Sequence, residues 1–186
     1  MSAFPALETE RLILRRIELS DAPLVYEYMK DREIAFNTKL IPYPYTDGAA
    51  EEWINRTHEA GEQGDDFSFA VTRKTDSLFM GACGIHRIPE HQRAEIGYWL
   101  GKPHRGQGYM SEATRQVIQF GFEELSLNRI YAGYFTRNPA SRRVMEKAGM
   151  TYEGTYRQNV LKWGEFVDVG MCSILRAEFD ARNAGG

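Results

Sequence analysis

Cysteine is scarce: only Cys83 and Cys172 occur in the 186 residues. Two cysteines so far apart build no disulfide framework, and their scarcity fits a reducing cytoplasm as the expected location. No apolar run is long enough to cross a bilayer and no secretory leader is recognisable, so neither a membrane span nor export is expected. Positive charge is also short. Lys and Arg number 23 against 26 Asp and Glu, for a net charge of −3 and a pI near 5.9. That balance argues against nucleic acid as the main partner, a local basic patch aside. Internal repeats and low-complexity segments are absent, and so is the Gly-Lys-Ser/Thr of a P-loop. What remains is 42% hydrophobic and 26% charged, the composition of an ordinary globule. A single domain over residues 1–186 is expected, with its core over about residues 7–175 and a frayed tail at 183–186.

One stretch, residues 95–113, organises the chain. Ile96, Tyr98, Trp99 and Leu100 read as a strand, which breaks at Gly101 and Pro103. A short basic, glycine-rich turn follows through His104, Arg105, Gly106, Gln107 and Gly108, with Lys102 beside it. The period then changes. Met110, Ala113, Val117, Gly121 and Leu125, flanked by Thr114, Ile118 and Phe122, mark one face of a helix. Strand, glycine turn and helix is an arrangement whose free N–H groups and helix dipole hold phosphate. A dinucleotide fingerprint needs glycine where Ser111 stands. The pyrophosphate loop of acyl-CoA enzymes, Arg/Gln-x-x-Gly-x-Gly/Ala, fits Arg105 to Tyr109 and departs only at Met110. An ordinary strand–helix connection is the alternative.

Along the rest of the chain, residues 11–17 alternate as a strand, and Ser20 or Asp21 suits a cap for a helix bearing Leu24, Tyr28 and Met29. A loop holds Pro42, Tyr43, Pro44 and Tyr45. Thr46 or Asp47 then caps a second helix with Trp53, Ile54 and Thr57 on its inner face. Residues 67–72 and 78–85 read as a strand pair, residues 129–135 as a strand, and residues 138–148 as a helix closed by Gly149. Residues 151–160 and 166–175 read as a hairpin. The order β-α-α-β-β-β-α-β-α-β-β implies an α/β (α+β) fold, one mixed sheet covered by helices.

These elements, the loop from Arg105 to Met110, and the run from Asn138 through Pro139 and Ser141 to Met150 resemble the GNAT superfamily of acetyl-CoA-dependent N-acetyltransferases. Leu7-Glu-Thr-Glu-Arg-Leu-Ile-Leu-Arg15 and Glu95-Ile-Gly-Tyr-Trp-Leu100 resemble a narrower branch, the ribosomal-protein N-terminal acetyltransferases. The resemblance implies a mostly antiparallel sheet splayed into an acyl-CoA groove. It implies backbone amides of Arg105, Gly106, Gln107, Gly108, Tyr109 and Met110 on the CoA pyrophosphate, and main chain of Trp99 and Leu100 along the pantetheine. Asn138 would bond the pantetheine arm, a role compatible with a helix N-cap. The tyrosine that many members place on the last-named helix is replaced by Met145, and the branch resemblance puts Ser141 in support of the departing thiolate. Asp66, beside Asp65, and Glu95 are the candidate bases, while the position of a strand glutamate in some relatives holds Gly133. Each carboxylate has a surface role as its alternative, and a water chain is the other route.

Acetyl-CoA is thus the expected cosubstrate, with no metal. The acceptor is a primary amine, foremost a protein or peptide N-terminal α-amine, attacking the thioester directly. A small amine is the alternative acceptor, and a non-catalytic acyl-CoA-binding module the alternative class. Phe36, Tyr43, Tyr45, Trp53 and Trp163 are candidate acceptor-pocket residues, and the expected assembly is a monomer or homodimer.

Overall fold

The computed structural model describes residues 4–184. Eight strands form one sheet: β1 (Leu7–Glu8), β2 (Leu12–Arg16), β3 (Asp66–Arg73), β4 (Phe79–Ile88), β5 (Arg93–Leu100), β6 (Arg129–Phe135), β7 (Thr151–Lys162) and β8 (Glu165–Leu175). Their spatial order is β1-β2-β3-β4-β5-β6-β8-β7, and every neighbouring pair is antiparallel except β5 with β6. A parallel pair needs a crossover. Here the crossover is helix α4 (Tyr109–Glu123), the periodic helix of the sequence. Its buried face carries Met110, Ala113, Thr114, Val117, Ile118, Gly121 and Phe122, whereas Leu125 falls beyond its end and is half-buried.

The strands alternate between two cores. On one face Cys83, Ile85, Ala94 and Ile96 pack against α4 and against Met145 of helix α5 (Pro139–Lys147). On the other, Ala70, Ala82 and half-buried Trp99 pack against helices α1 (Ala22–Met29) and α3 (Ala49–Glu62). Helix α1 buries Ala22, Val25 and Met29, and leaves Leu24 and Tyr28 half-buried on its flanks. Asp21 does stand at its N-cap position, but the carboxylate receives no bond from the helix. Instead it is buried in a two-pronged pair with Arg15, at 2.8 Å on both oxygens. Gly48, with a left-handed backbone, caps α3 in place of Thr46 or Asp47.

Besides three 3-10 turns, the structure adds a short strand, β1, and two helices, α2 (Arg32–Phe36) and α6 (Arg176–Asn183). Helix α6 extends the ordered chain past residue 175. Within the frayed-tail expectation Asn183 ends this helix, and residues 185–186 lie outside the described part. The hairpin tip between β7 and β8 turns at Trp163 and Gly164, both at positive φ. Buried Lys162 anchors that tip by donating to the carbonyls of Lys39 and Ile41 at 3.4 and 3.1 Å.

Candidate active site

Strand β5 ends at Leu100, a single 3-10 turn spans Lys102–His104, and the chain enters α4 through residues 105–108. Gly106 and Gly108 take φ of +78° and +83°, left-handed values that a β-branched residue strongly resists. The Arg105 N–H bonds to Lys102 O, and the Glu112 N–H bonds to Gly108 O. Among the described residues, no acceptor takes the N–H groups of residues 106–111 between them. A run of free amides at the positive end of a fifteen-residue helix is a cradle for an anion such as pyrophosphate. Two of the flanking basic side chains, Arg105 and His104, do not share this role. Arg105 is turned away, with its guanidinium donating to Leu100 O (3.1 Å), Glu33 (2.9 Å) and Asp31 (3.1 Å). His104 is buried, with Nε2 2.9 Å from the Tyr28 hydroxyl, and burial holds its pKa below the usual imidazole value.

The opening motif braces this loop from outside. The Thr9 hydroxyl and the Arg11 N–H donate to Oε1 of Glu112 at 2.5 and 3.0 Å. The Arg11 guanidinium donates to Oε2 (2.7 Å) and to Gln107 O (3.1 Å). Burial works to raise the Glu112 pKa, but these donors outweigh it and hold it below the usual carboxylate value.

Beside the loop the sheet opens. The β5–β6 pairing covers only Arg93–Arg129, Ala94–Ile130 and Glu95–Tyr131, and ends there. Beyond that point β5 keeps to β4, while β6 keeps to β8 as far as Phe135–Val169. Helix α5 starts at the far end of the resulting groove. Asn138 is its N-cap, its side-chain oxygen accepting from the Ser141 N–H at 3.2 Å. Ser141 meets Tyr98, which the sequence marks only as a strand residue. The Tyr98 hydroxyl lies 3.0 Å from Ser141 Oγ and donates to Ser141 O at 3.0 Å, bridging β5 to α5 across the gap. Burial pushes the Tyr98 phenol well above its usual pKa, so it is a neutral donor at working pH. Met145, one turn along, is in the core.

The opposite face of the sheet is equally specific. The strand registers align Asp66 with His86 and Glu95, and in the next row Ser68 with Gly84 and Gly97. By strand parity Gly133 lies on this same face across the groove. Gly97 is exposed although β5 is a central strand, so no helix covers the sheet there. Exposed Gly97 makes a short trough at the mouth of the groove; Gly84 beside it is buried under Ser68 and His86, and a Cβ on half-buried Gly133 would meet Val169 and Met171 at 3.2 and 3.3 Å. Along the rim of the trough, His86 Nδ1 lies 2.8 Å from Asp66 Oδ2, and the Ser68 hydroxyl donates to Asp66 Oδ1 at 2.9 Å. The bond to Asp66 raises the His86 pKa, burial opposes it, and the charges of Asp66 and Glu95 add to the rise. Asp66 and Glu95 stand out in the sequence as candidate bases; His86 does not, because its link to them exists only through strand register.

The five aromatics proposed for an acceptor pocket divide. Trp163 lies 5.8 Å from Phe36 and 6.0 Å from Tyr43, Trp53 lies 6.1 Å from Trp99, and Tyr45 lies 6.2 Å from Tyr26 (ring centroids). Both cysteines are fully buried, and burial pushes the Cys83 thiol up to about 12, which disfavours a nucleophilic thiolate. Among the described residues no group of three or more His, Cys, Asp or Glu is set to hold a metal ion.

A free-amide loop at a helix start, beside a parallel strand pair splayed open above it, defines an acyltransferase of the acyl-CoA-using kind. The acetyltransferase (GNAT) domain profile matches residues 11–151, and the chain belongs to that family. It is 35% identical over 175 residues to an uncharacterized N-acetyltransferase, p20, of Bacillus licheniformis, covering 93% of this chain and 97% of that one. A GNAT-family acetyltransferase from Bacillus anthracis superposes with a TM-score of 0.84 at 27% identity, covering 93% of this chain and 99% of the other. The ribosomal L7/L12 α-N-protein acetyltransferase RimL, solved with coenzyme A, has the same fold. Its TM-score is 0.84 at 19% identity, over 92% and 98% of the two chains.

Proposed function

We propose that this chain transfers an acetyl group from acetyl-CoA to the α-amine of a protein or peptide N-terminus, by direct attack on the thioester. The observation that carries the reading is the groove between β5 and β6, which has the amide loop on one side and the trough at exposed Gly97 on the other face of the sheet. A donor held by its pyrophosphate on the amides of residues 106–110 extends its pantetheine along the main chain of Trp99 and Leu100. Asn138 and Ser141 flank it from α5. Arg105 contributes as the anchor of the loop through Asp31 and Glu33.

The acceptor arrives on the trough side, where Asp66 and Glu95 make the rim acidic and suit a cationic amine. An α-amine, with a reference pKa of about 7.7–8.0, surrenders its proton more readily than a lysine near 10.4. Ser141 supports the leaving thiolate. The branch-like motifs from Leu7 to Arg15 and from Glu95 to Leu100 favour a peptide acceptor. The same acidic rim favours a small polycationic amine as the second reading.

Thiol release from acetyl-CoA, screened in parallel against short peptides with free N-terminal alanine or serine, an N-terminally blocked lysine peptide, amino acids, polyamines and aminoglycosides, tests this. The expected result is that the free N-terminal peptides turn over fastest. Turnover of polyamines with none of peptides overturns the acceptor and leaves the transferase. No thiol release with any amine, from protein that binds acetyl-CoA in calorimetry, overturns catalysis in favour of a binding module.

A further inference from the structure

We infer that His86 is the group that takes the acceptor's proton, with Asp66 as its positioning residue. The inference rests on the transferase reading above and deepens it.

Four observations carry it. Asp66, His86 and Glu95 lie side by side on three consecutive strands, so all three face the trough. Asp66 is already committed on both oxygens, to Ser68 and to His86 Nδ1, and its side chain is only 18% exposed. An ionised carboxylate only accepts, so His86 donates from Nδ1, which leaves the lone pair of its neutral form on Nε2. That Nε2 is turned toward the trough, 3.4 and 3.9 Å from where a Cβ on Gly84 and Gly97 would stand, and the His86 side chain is 49% exposed. Exposed Gly97, whose Cβ position meets nothing but Nε2 within 4 Å, leaves room on that side for an amine or one bridging water.

Magnitude separates histidine from the carboxylates. From reference pKa values, moving a proton from an α-amine to an ordinary imidazole is uphill by about thirtyfold, and to an ordinary carboxylate by several thousandfold, roughly speaking. A base near the working pH is the more effective one. The charged or titratable groups facing His86 are Asp66 from β3 and Glu95 from β5, with Tyr131 of β6 beside Glu95. Both acids favour the imidazolium, so His86 accepts a proton more readily than a free imidazole.

The step balances. The acceptor ammonium gives one proton to Nε2, which passes it to solvent. The freed nitrogen lone pair forms the C–N bond at the thioester carbonyl. The C–S bond breaks, and the remaining excess proton on nitrogen reaches the departing thiolate by way of the Ser141 hydroxyl.

The test is a pH–rate series on the full chain, with acetyl-CoA and a short peptide bearing a free N-terminal alanine, and with spermidine in a parallel arm. His86→Gln should lower kcat by about 10²-fold, leave the KM for acetyl-CoA unchanged and abolish the acidic limb. Asp66→Asn should keep the limb but move it to lower pH, because the imidazole loses the partner that raises it. Added imidazole should restore part of the rate to His86→Ala, which a merely structural histidine would not permit. Acetyl-CoA calorimetry on each variant confirms that the donor side is folded. Wild-type kcat with an unshifted limb in His86→Gln overturns this inference and leaves the transferase standing. A limb that Asp66→Asn abolishes while His86→Gln keeps it does the same, by making Asp66 the base. Wild-type protein inert toward every amine overturns both together.

Discussion

Ser141 and Tyr98 hold one another across a gap that no local pattern spans, since 43 positions separate them. The catalytic consequence differs for the two. Ser141→Ala removes the hydroxyl proposed to support the departing thiolate, and kcat should fall by about 10²-fold with acetyl-CoA affinity retained, measured by stopped-flow under conditions where chemistry limits turnover. Tyr98→Phe leaves that hydroxyl in place but unaimed, so its loss should be nearer tenfold, the scale of one hydrogen bond. Wild-type rates in both variants would remove the pair from the mechanism. The helix start that holds Ser141 was legible from Asn138 and Pro139, while the role given to Ser141 came from the family resemblance and stands as a proposal. Tyr98 and His86 were not legible, because a strand's sequence discloses which residues share its own face and nothing about which residue of another strand lies opposite.

Elements with their own punctuation were read well. Helix α5 has Asn138 and Pro139 at one end and Gly149 at the other, and strand β6 has the bounds its composition suggested. Elements held by tertiary contact were not. Helix α2 has five residues, too few for a period to emerge, and α6 is largely charged and is held through Phe179 against Phe122. The Thr9–Arg11–Glu112 clamp is likewise tertiary, and it joins the first residues of the fold to the anion loop. Its strength is testable by pH. The Glu112 pKa lies below its unfolded value, so the clamp's stabilisation is complete above about 4.5 and is lost as pH falls through the folded value. Glu112→Gln should cost about 1–2 kcal/mol at neutral pH, the scale of charge-assisted hydrogen bonds, and the cost should shrink in acid. Urea denaturation of both proteins at pH 7 and pH 3.5 measures it. The buried Arg15–Asp21 pair predicts a larger effect. Asp21→Ala leaves a guanidinium one-third exposed and unpaired, and should cost about 2–3 kcal/mol in the same assay.

At the scale of the molecule, the order of elements along the chain was legible from their types, and a mixed, mostly antiparallel, splayed sheet from the resemblance to one superfamily; the spatial order of the strands and the parallel β5–β6 pair were not. Nor was register, and it is register that sets the trough at Gly97 beside His86. A groove between strands that fail to pair also leaves backbone groups for a ligand to engage. Acetyl-CoA at a hundred times its Kd should therefore raise Tm by about 5–10 °C, the shift that about 2.7 kcal/mol produces in a domain of this size. Differential scanning fluorimetry reads that shift, and Gly108→Val, strained at φ of +83°, should largely abolish it.

The groove joins the two faces of the sheet, with the amide loop on the α4 side and exposed Gly97 facing the other way. Two doors have a kinetic signature. On the proposed reading spent coenzyme leaves on the α4 side and the acetylated amine withdraws from the trough, so neither obstructs the other. Coenzyme A should then inhibit competitively against acetyl-CoA and noncompetitively against the amine. A single inhibitor that occupies both doors must be slender at its waist, because it has to thread between the strands beside Gly97 and Gly133.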